Sequence, residues 1–221
     1  MSTNPSTDAS VTDCLAIGSI VNSESHMDYT VEIYNNHAVE REPKPHEYGF
    51  GQPVFVHTRV DGTDHVMMGV IYDTQLVDPD QGRAGPRLAG DDQRQFTPGY
   101  VEEQTTFAGV ALVGTAKVAA DDSIRDPDHG MPSWTLSVED EVLRCPEGVM
   151  AAFHTDEDGD VRMAYWDRLL AVAGDLGAEV TIAVIDHLRS VFEDGGANQR
   201  VLDVIEQNVR WQSVSDRGVV R

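Results

Sequence analysis

The stretch that most constrains the fold is Gly51 to Asp73, GQPVFVHTRVDGTDHVMMGVIYD. An alternating run from Val54 to Val60 meets a second run from Val66 to Tyr72 across Asp61-Gly62, a dipeptide suited to the tight turn of a β-hairpin. Gly69 sits inside the second run. Two further apolar runs carry interior glycines: Cys14–Val21 contains Gly18, and Thr105–Val118 contains Gly109 and Gly114. Glycine inside a strand permits sharp coiling and close backbone approach. Three such strands predict a sheet curled on itself, a small closed or partly closed β-barrel of five or six strands. Tyr29–Tyr34 alternates well enough to supply another strand.

The rest of the chain divides around that barrel. Residues 1–12 are Ser, Thr, Asn and Asp-rich and are expected to form a disordered tail. The barrel is assigned to 13–120, with a proline-bearing loop at Glu42-Pro43-Lys44-Pro45 and a long polar connection over 78–98. An acidic linker is assigned to 121–145. From 146 to 221 the apolar period changes to that of helices. Pro146–His154 reads as a short helix, and Met163–Ala173 as a second. Ala178–Phe192 carries Val180, Val184, Leu188 and Val191 on one face, and Asn198–Trp211 carries Val201, Leu202, Ile205 and Val209. The fold class is therefore a β-barrel followed by a small α-helical subdomain.

Composition excludes some partners. Sixteen basic against 38 acidic residues leave a formal net charge of −22. Such a surface repels phosphate backbones and anionic lipid, so direct nucleic-acid binding is not expected. All the basic residues but Lys44 and Lys117 are arginine. An Asp-rich, Lys-poor chain resembles the proteins of salt-in halophiles, where molar salt shortens the Debye length to about 3 Å. The N-terminus has neither a basic start nor an apolar run, and no window approaches eighteen apolar residues, so the expectation is a soluble cytoplasmic protein. The two cysteines, Cys14 and Cys145, lack any metal-type spacing and are expected as buried thiols in preference to a disulfide.

Candidate chemistry is sparse. His57 and His65 flank the hairpin turn, but an even-numbered turn puts them on opposite faces of the ribbon. Asp156-Glu157-Asp158-Gly159-Asp160 opens like a calcium loop, with Asp167 at its twelfth position, yet Val161 replaces the glycine such a loop needs at its sixth. An acidic turn is the simpler reading. Asp126, Asp128 and His129 form a polar cluster of the kind acidic linkers produce often. Neither a G-x-S-x-G elbow nor a cysteine with a nearby histidine in sequence is present. Of the tryptophans, Trp166 is expected in the core, while Trp134 and Trp211 are open between filling the core and anchoring a partner, and are the candidate interface anchors.

Leu15–Val21, Gly49–Val56 and Met68–Asp73 together resemble the N-terminal barrel shared by HerA-type DNA-translocating ATPases and rotary ATP synthase subunits, the HAS-barrel. In that family a glycine opens the strand after the loop, and a G-x-V followed by an acidic residue closes the hairpin. The resemblance covers about half of the chain, residues 14–118. HerA-type proteins continue into a nucleotide-binding motor with a G-x-x-x-x-G-K-[ST] loop. Here Gly109 and Gly114 have the right separation but Thr115 stands in place of the lysine, and a glycine-bent strand is the expected structure. The resemblance thus implies a stand-alone barrel without catalysis or cofactor, an assembly or adaptor module. Its implied partner is a HerA-like ATPase and nuclease system or further copies of itself. Asp61 and Gly62 at the hairpin tip, Trp134, Trp211 and the 78–98 loop are its candidate contact residues. The competing reading is a small-molecule or metal-dependent enzyme in the barrel mouth, using His57 or His65 with Asp73.

Overall fold

A computed structural model describes residues 10–36, 38–77, 105–192 and 196–218, with the side chains of 214–218 excluded. Seven strands come first: β1 (Ala16–Ser23), β2 (Asp28–Ile33), β3 (Pro53–Val60), β4 (Thr63–Val77), β5 (Thr105–Val118), β6 (Ile124–Asp128) and β7 (Glu141–Arg144). The helices follow as α1 (Glu147–Phe153), α2 (Trp166–Ala173), α3 (Gly177–Val191) and α4 (Ala197–Gly218). The loop over 78–98 lies outside the described residues.

Six strands close into an antiparallel barrel. Its circuit runs β1, β2, β5, β4, β3, β7 and back to β1. The β3–β4 hairpin has Val60 opposite Thr63, which leaves Asp61 and Gly62 as a two-residue turn with φ of 49° and 81°. Positive φ at both positions matches the twist of the flanking strands and is why Asp-Gly stands there. β2 pairs with β5 only from Phe107 to Ala111; beyond it β6 takes over the same edge of β5. Gly114 lies at that handover. A Cβ on it would come within 2.2 Å of the Asp128 carbonyl oxygen, so only glycine lets β6 approach. The apparent phosphate-loop glycines are thus both within one strand, β5, as expected.

The continuous apolar runs of β3, β4 and β5 reflect burial on both faces. Val54, Val56, Met67, Ile71, Val110 and Leu112 point into the barrel, where they pack with Ile17, Tyr29 and Val142. Their neighbours Phe55, Val66, Met68, Val70, Ala111 and Val113 point outward onto a second core shared with the helices. That second core takes Val149 and Phe153 from α1, Leu169 from α2, Val184 and Leu188 from α3, and Leu202 from α4. Barrel and helices therefore share apolar packing along one wall. Each such fully buried side chain contributes roughly 1.5–3 kcal/mol.

Three assignments change. The region read as an acidic linker supplies β6 and β7, and β7 fills the gap between β1 and β3 that closes the barrel. The expected tail ends earlier, because Val11 is buried and its amide donates to Asp122 O at 3.1 Å, beside a bridge from Ser10 to Ser123. Val201, placed with the core stripe by spacing, is exposed.

Candidate functional site

The hairpin end carries several of the sequence candidates. His57 stands opposite Val66 and His65 opposite Thr58, so the two imidazoles do lie on opposite faces. His57 is exposed; His65 packs edge-on against Trp134 at 5.1 Å between ring centroids. Trp134 lies half-buried against the barrel core, and its Nε1 is buried with no acceptor among the described residues. Asp61 and Gly62 are exposed at the tip. Asp73 lies at the far end of β4 and accepts from the Thr74 amide and the Gln75 side chain. The structure thus keeps His57, His65 and Asp73 apart, and side chains fill the barrel between them. Among the described residues no group of three His, Cys, Asp or Glu is placed to hold a metal ion.

The acidic clusters resolve into local structure. Asp156 Oδ1 accepts the amides of Asp158 and Asp160, and Thr155 bridges to Val161, so the calcium-like stretch is a tight turn. Asp126 pairs with Lys117 at 2.9 Å, while Asp128 accepts the Gly130 amide. His129 leaves them altogether and enters the core.

That burial creates a polar cluster which sequence reasoning missed. His129, His154 and Tyr165 are each no more than 2% exposed, with ring centroids 5.2–5.6 Å apart. The Ala164 amide donates to His129 Nδ1, so the proton of that ring sits on Nε2, which donates to Phe153 O at 3.0 Å. His154 Nδ1 donates to Met150 O at 2.8 Å, and its Nε2 accepts the Tyr165 hydroxyl at 2.7 Å. Every ring nitrogen is satisfied with both imidazoles neutral. Burial is the main cause holding His129 down at about 4 and His154 at about 3, and burial also pushes the Tyr165 phenol well above its usual range. These groups are placed to fasten α1, the segment before α2 and the loop after β6 to one another. The only sequence signal was a histidine ending the short helix, since partners from three segments are invisible in a linear pattern.

The last helix has two apolar faces. Leu202, Ile205 and Val209 pack on the core, and Arg189 of α3 clamps the helix through Asp203 at 2.7 Å and Glu206 at 2.6 Å. Turned about a third of a revolution away, Val201, Val204 and Trp211 form a stripe with Asn208 at the spacing of a helical face. Val204 is 58% and Trp211 73% exposed. Trp166, by contrast, packs against the shared core as expected.

One family model matches this chain. A domain of unknown function, DUF8166, matches residues 1–220. The chain belongs to that family. The match runs through barrel and helices alike, in keeping with the core they share. No curated protein matches the chain.

Proposed function

We propose that this DUF8166 protein is a non-catalytic assembly or adaptor module whose contact surface is the outer stripe of α4. The observation that carries the reading is that stripe: Val201, Val204 and Trp211 lie on the helix face opposite to the clamp made by Arg189. Exposed apolar side chains in a row mark association surfaces, and tryptophan is prominent among interface anchors. The stripe is self-complementary. In an antiparallel pair of α4 helices crossing at Glu206, Val201 meets Trp211 and Val204 meets Asn208, an isologous contact that a second copy satisfies. The occupant we assign is therefore another copy of this chain.

The resemblance of the barrel to the HAS-barrel supports a wider setting for such an assembly, beside a HerA-like DNA-translocating ATPase in DNA processing. The charge of −22 supports a cytoplasm rich in salt, where copies carrying the same charge approach without long-range repulsion. The test is association of the tagged and untagged full chain in molar potassium chloride. His57→Ala and His65→Ala leave association unchanged, whereas Val204→Asp abolishes it. Loss of association in the histidine variants with retention in Val204→Asp sinks the assignment.

A further inference from the structure

The two cysteines, remote in sequence, meet at the seam where β1 joins β7. Ala16 stands opposite Leu143, and the Arg144 amide donates to Leu15 O at 2.8 Å, so the antiparallel register continues outward to set Cys14 against Cys145. Beyond the hydrogen-bonded Leu15 and Arg144, the next opposed position is of the non-hydrogen-bonded kind, which in antiparallel sheets holds Cα atoms about 4.5 Å apart with side chains on one face. A disulfide requires Cα separations of about 4.4–6.8 Å. Both side chains pack in the same core, Cys145 buried and Cys14 partly so. Each thiol is also within electrostatic reach of the other: after burial, the charge of Cys14 is the next influence raising Cys145. Cys14 Sγ now faces Thr12 O at 3.7 Å and Ser10 O at 3.8 Å, and Cys145 Sγ faces Pro146 O at 3.5 Å.

We propose that Cys14 and Cys145 are a thiol–disulfide switch, oxidised by small-molecule disulfides, that fastens the N-terminal segment to the closing strand of the barrel. Their exposures set the order of events. Cys14, the less buried of the two, is the attacking group: its thiolate displaces one sulfur of the oxidant, forming a mixed disulfide and releasing one small thiolate. Cys145, sealed in the core, then loses its proton and attacks the Cys14 sulfur. The second small thiolate leaves and takes up that proton, so two protein thiols are oxidised and one disulfide is reduced to two thiols. A dithiol reductant reverses the exchange. The bond closes a loop containing most of the barrel, the arrangement in which a crosslink constrains the unfolded chain most.

The experiment treats the folded full chain with cystamine, a cationic disulfide that the acidic surface attracts, then alkylates in denaturant and maps peptides by mass spectrometry without reduction. The expected result is joined Cys14 and Cys145 peptides in a single chain, no alkylated cysteine, and a melting temperature higher by roughly 5–15 °C that dithiothreitol reverses. In Cys14→Ser, Cys145 remains fully alkylatable after the same treatment. Crosslinks between chains, a mixed disulfide that stays on Cys14, or equal reaction of Cys145 in Cys14→Ser overturns the proposal. Because Cys14 lies at the edge of the core, this variant keeps the fold where Cys145→Ala leaves a cavity.

Discussion

Acidification should unfasten this protein at its buried imidazoles. In the folded chain His129 and His154 are neutral, with pKa values held down to about 4 and about 3 by burial. In the unfolded chain both return to about 6.5. Between those values the unfolded state binds up to two more protons, so stability is complete above about pH 6.5 and falls as the pH drops. Each group contributes about 1.4 kcal/mol per pH unit, so reaching pH 4.5 costs roughly 5 kcal/mol for the pair. That loss rivals the whole stability of many domains, about 5–15 kcal/mol. Protonation of the many carboxylates relieves self-repulsion over the same range and works the other way, so the comparison must be between variants. Urea unfolding from pH 7 to 4.5 at fixed salt should give the His129→Gln/His154→Gln protein a shallower slope, by up to about 2.7 kcal/mol per pH unit. The His129 and His154 imidazole resonances of the wild type should show no titration above about pH 5. Equal slopes, or a His129 or His154 resonance titrating near about 6.5 in the folded protein, refute the assignment of neutral, sealed rings.

Other substitutions test the barrel. The Tyr72 hydroxyl donates to Asp28 Oδ1 at 2.8 Å, tying β4 to the start of β2 across β5, and Tyr72→Phe should cost about 1–3 kcal/mol in urea unfolding. Gly114→Ala drives a methyl into the Asp128 carbonyl and should cost about 1–3 kcal/mol, with loss of hydrogen-exchange protection along β6. Gly62→Ala meets no neighbouring atom within 4 Å, and its φ of 81° alone should cost about 1–2 kcal/mol with β6 protection intact. Met67→Ala in the filled barrel should lower stability by about 2–5 kcal/mol in the same assay.

Legibility followed the range of the interactions involved. The β3–β4 hairpin and its turn at Asp61-Gly62 were readable, but an even-numbered turn left His57 facing either Val66 or Met68, and the strand extension over Thr63–His65 settles it as Val66. The helices were readable from spacing, with the error at Val201 arising because α4 carries two apolar stripes and only contact with the body separates them. β7 was not readable. Four residues with charged ends, Glu141–Arg144, have no pattern of their own and become a strand by filling the space between β1 and β3. The same holds for His129, His154 and Tyr165, and for Cys14 beside Cys145: each is ordinary in its own segment and acquires meaning from a distant one. Trp211 was named from the sequence without a side assigned to it, and the structure leaves it exposed, turned away from Leu202 and Val209.

The most direct test of the assembly reading is the mass of the full chain in molar potassium chloride, by light scattering on the eluting peak. The account predicts a mass of twice the 24.2 kDa chain for the wild type, and 24.2 kDa with unchanged circular dichroism for Val204→Asp. A wild type of 24.2 kDa at every concentration contradicts it.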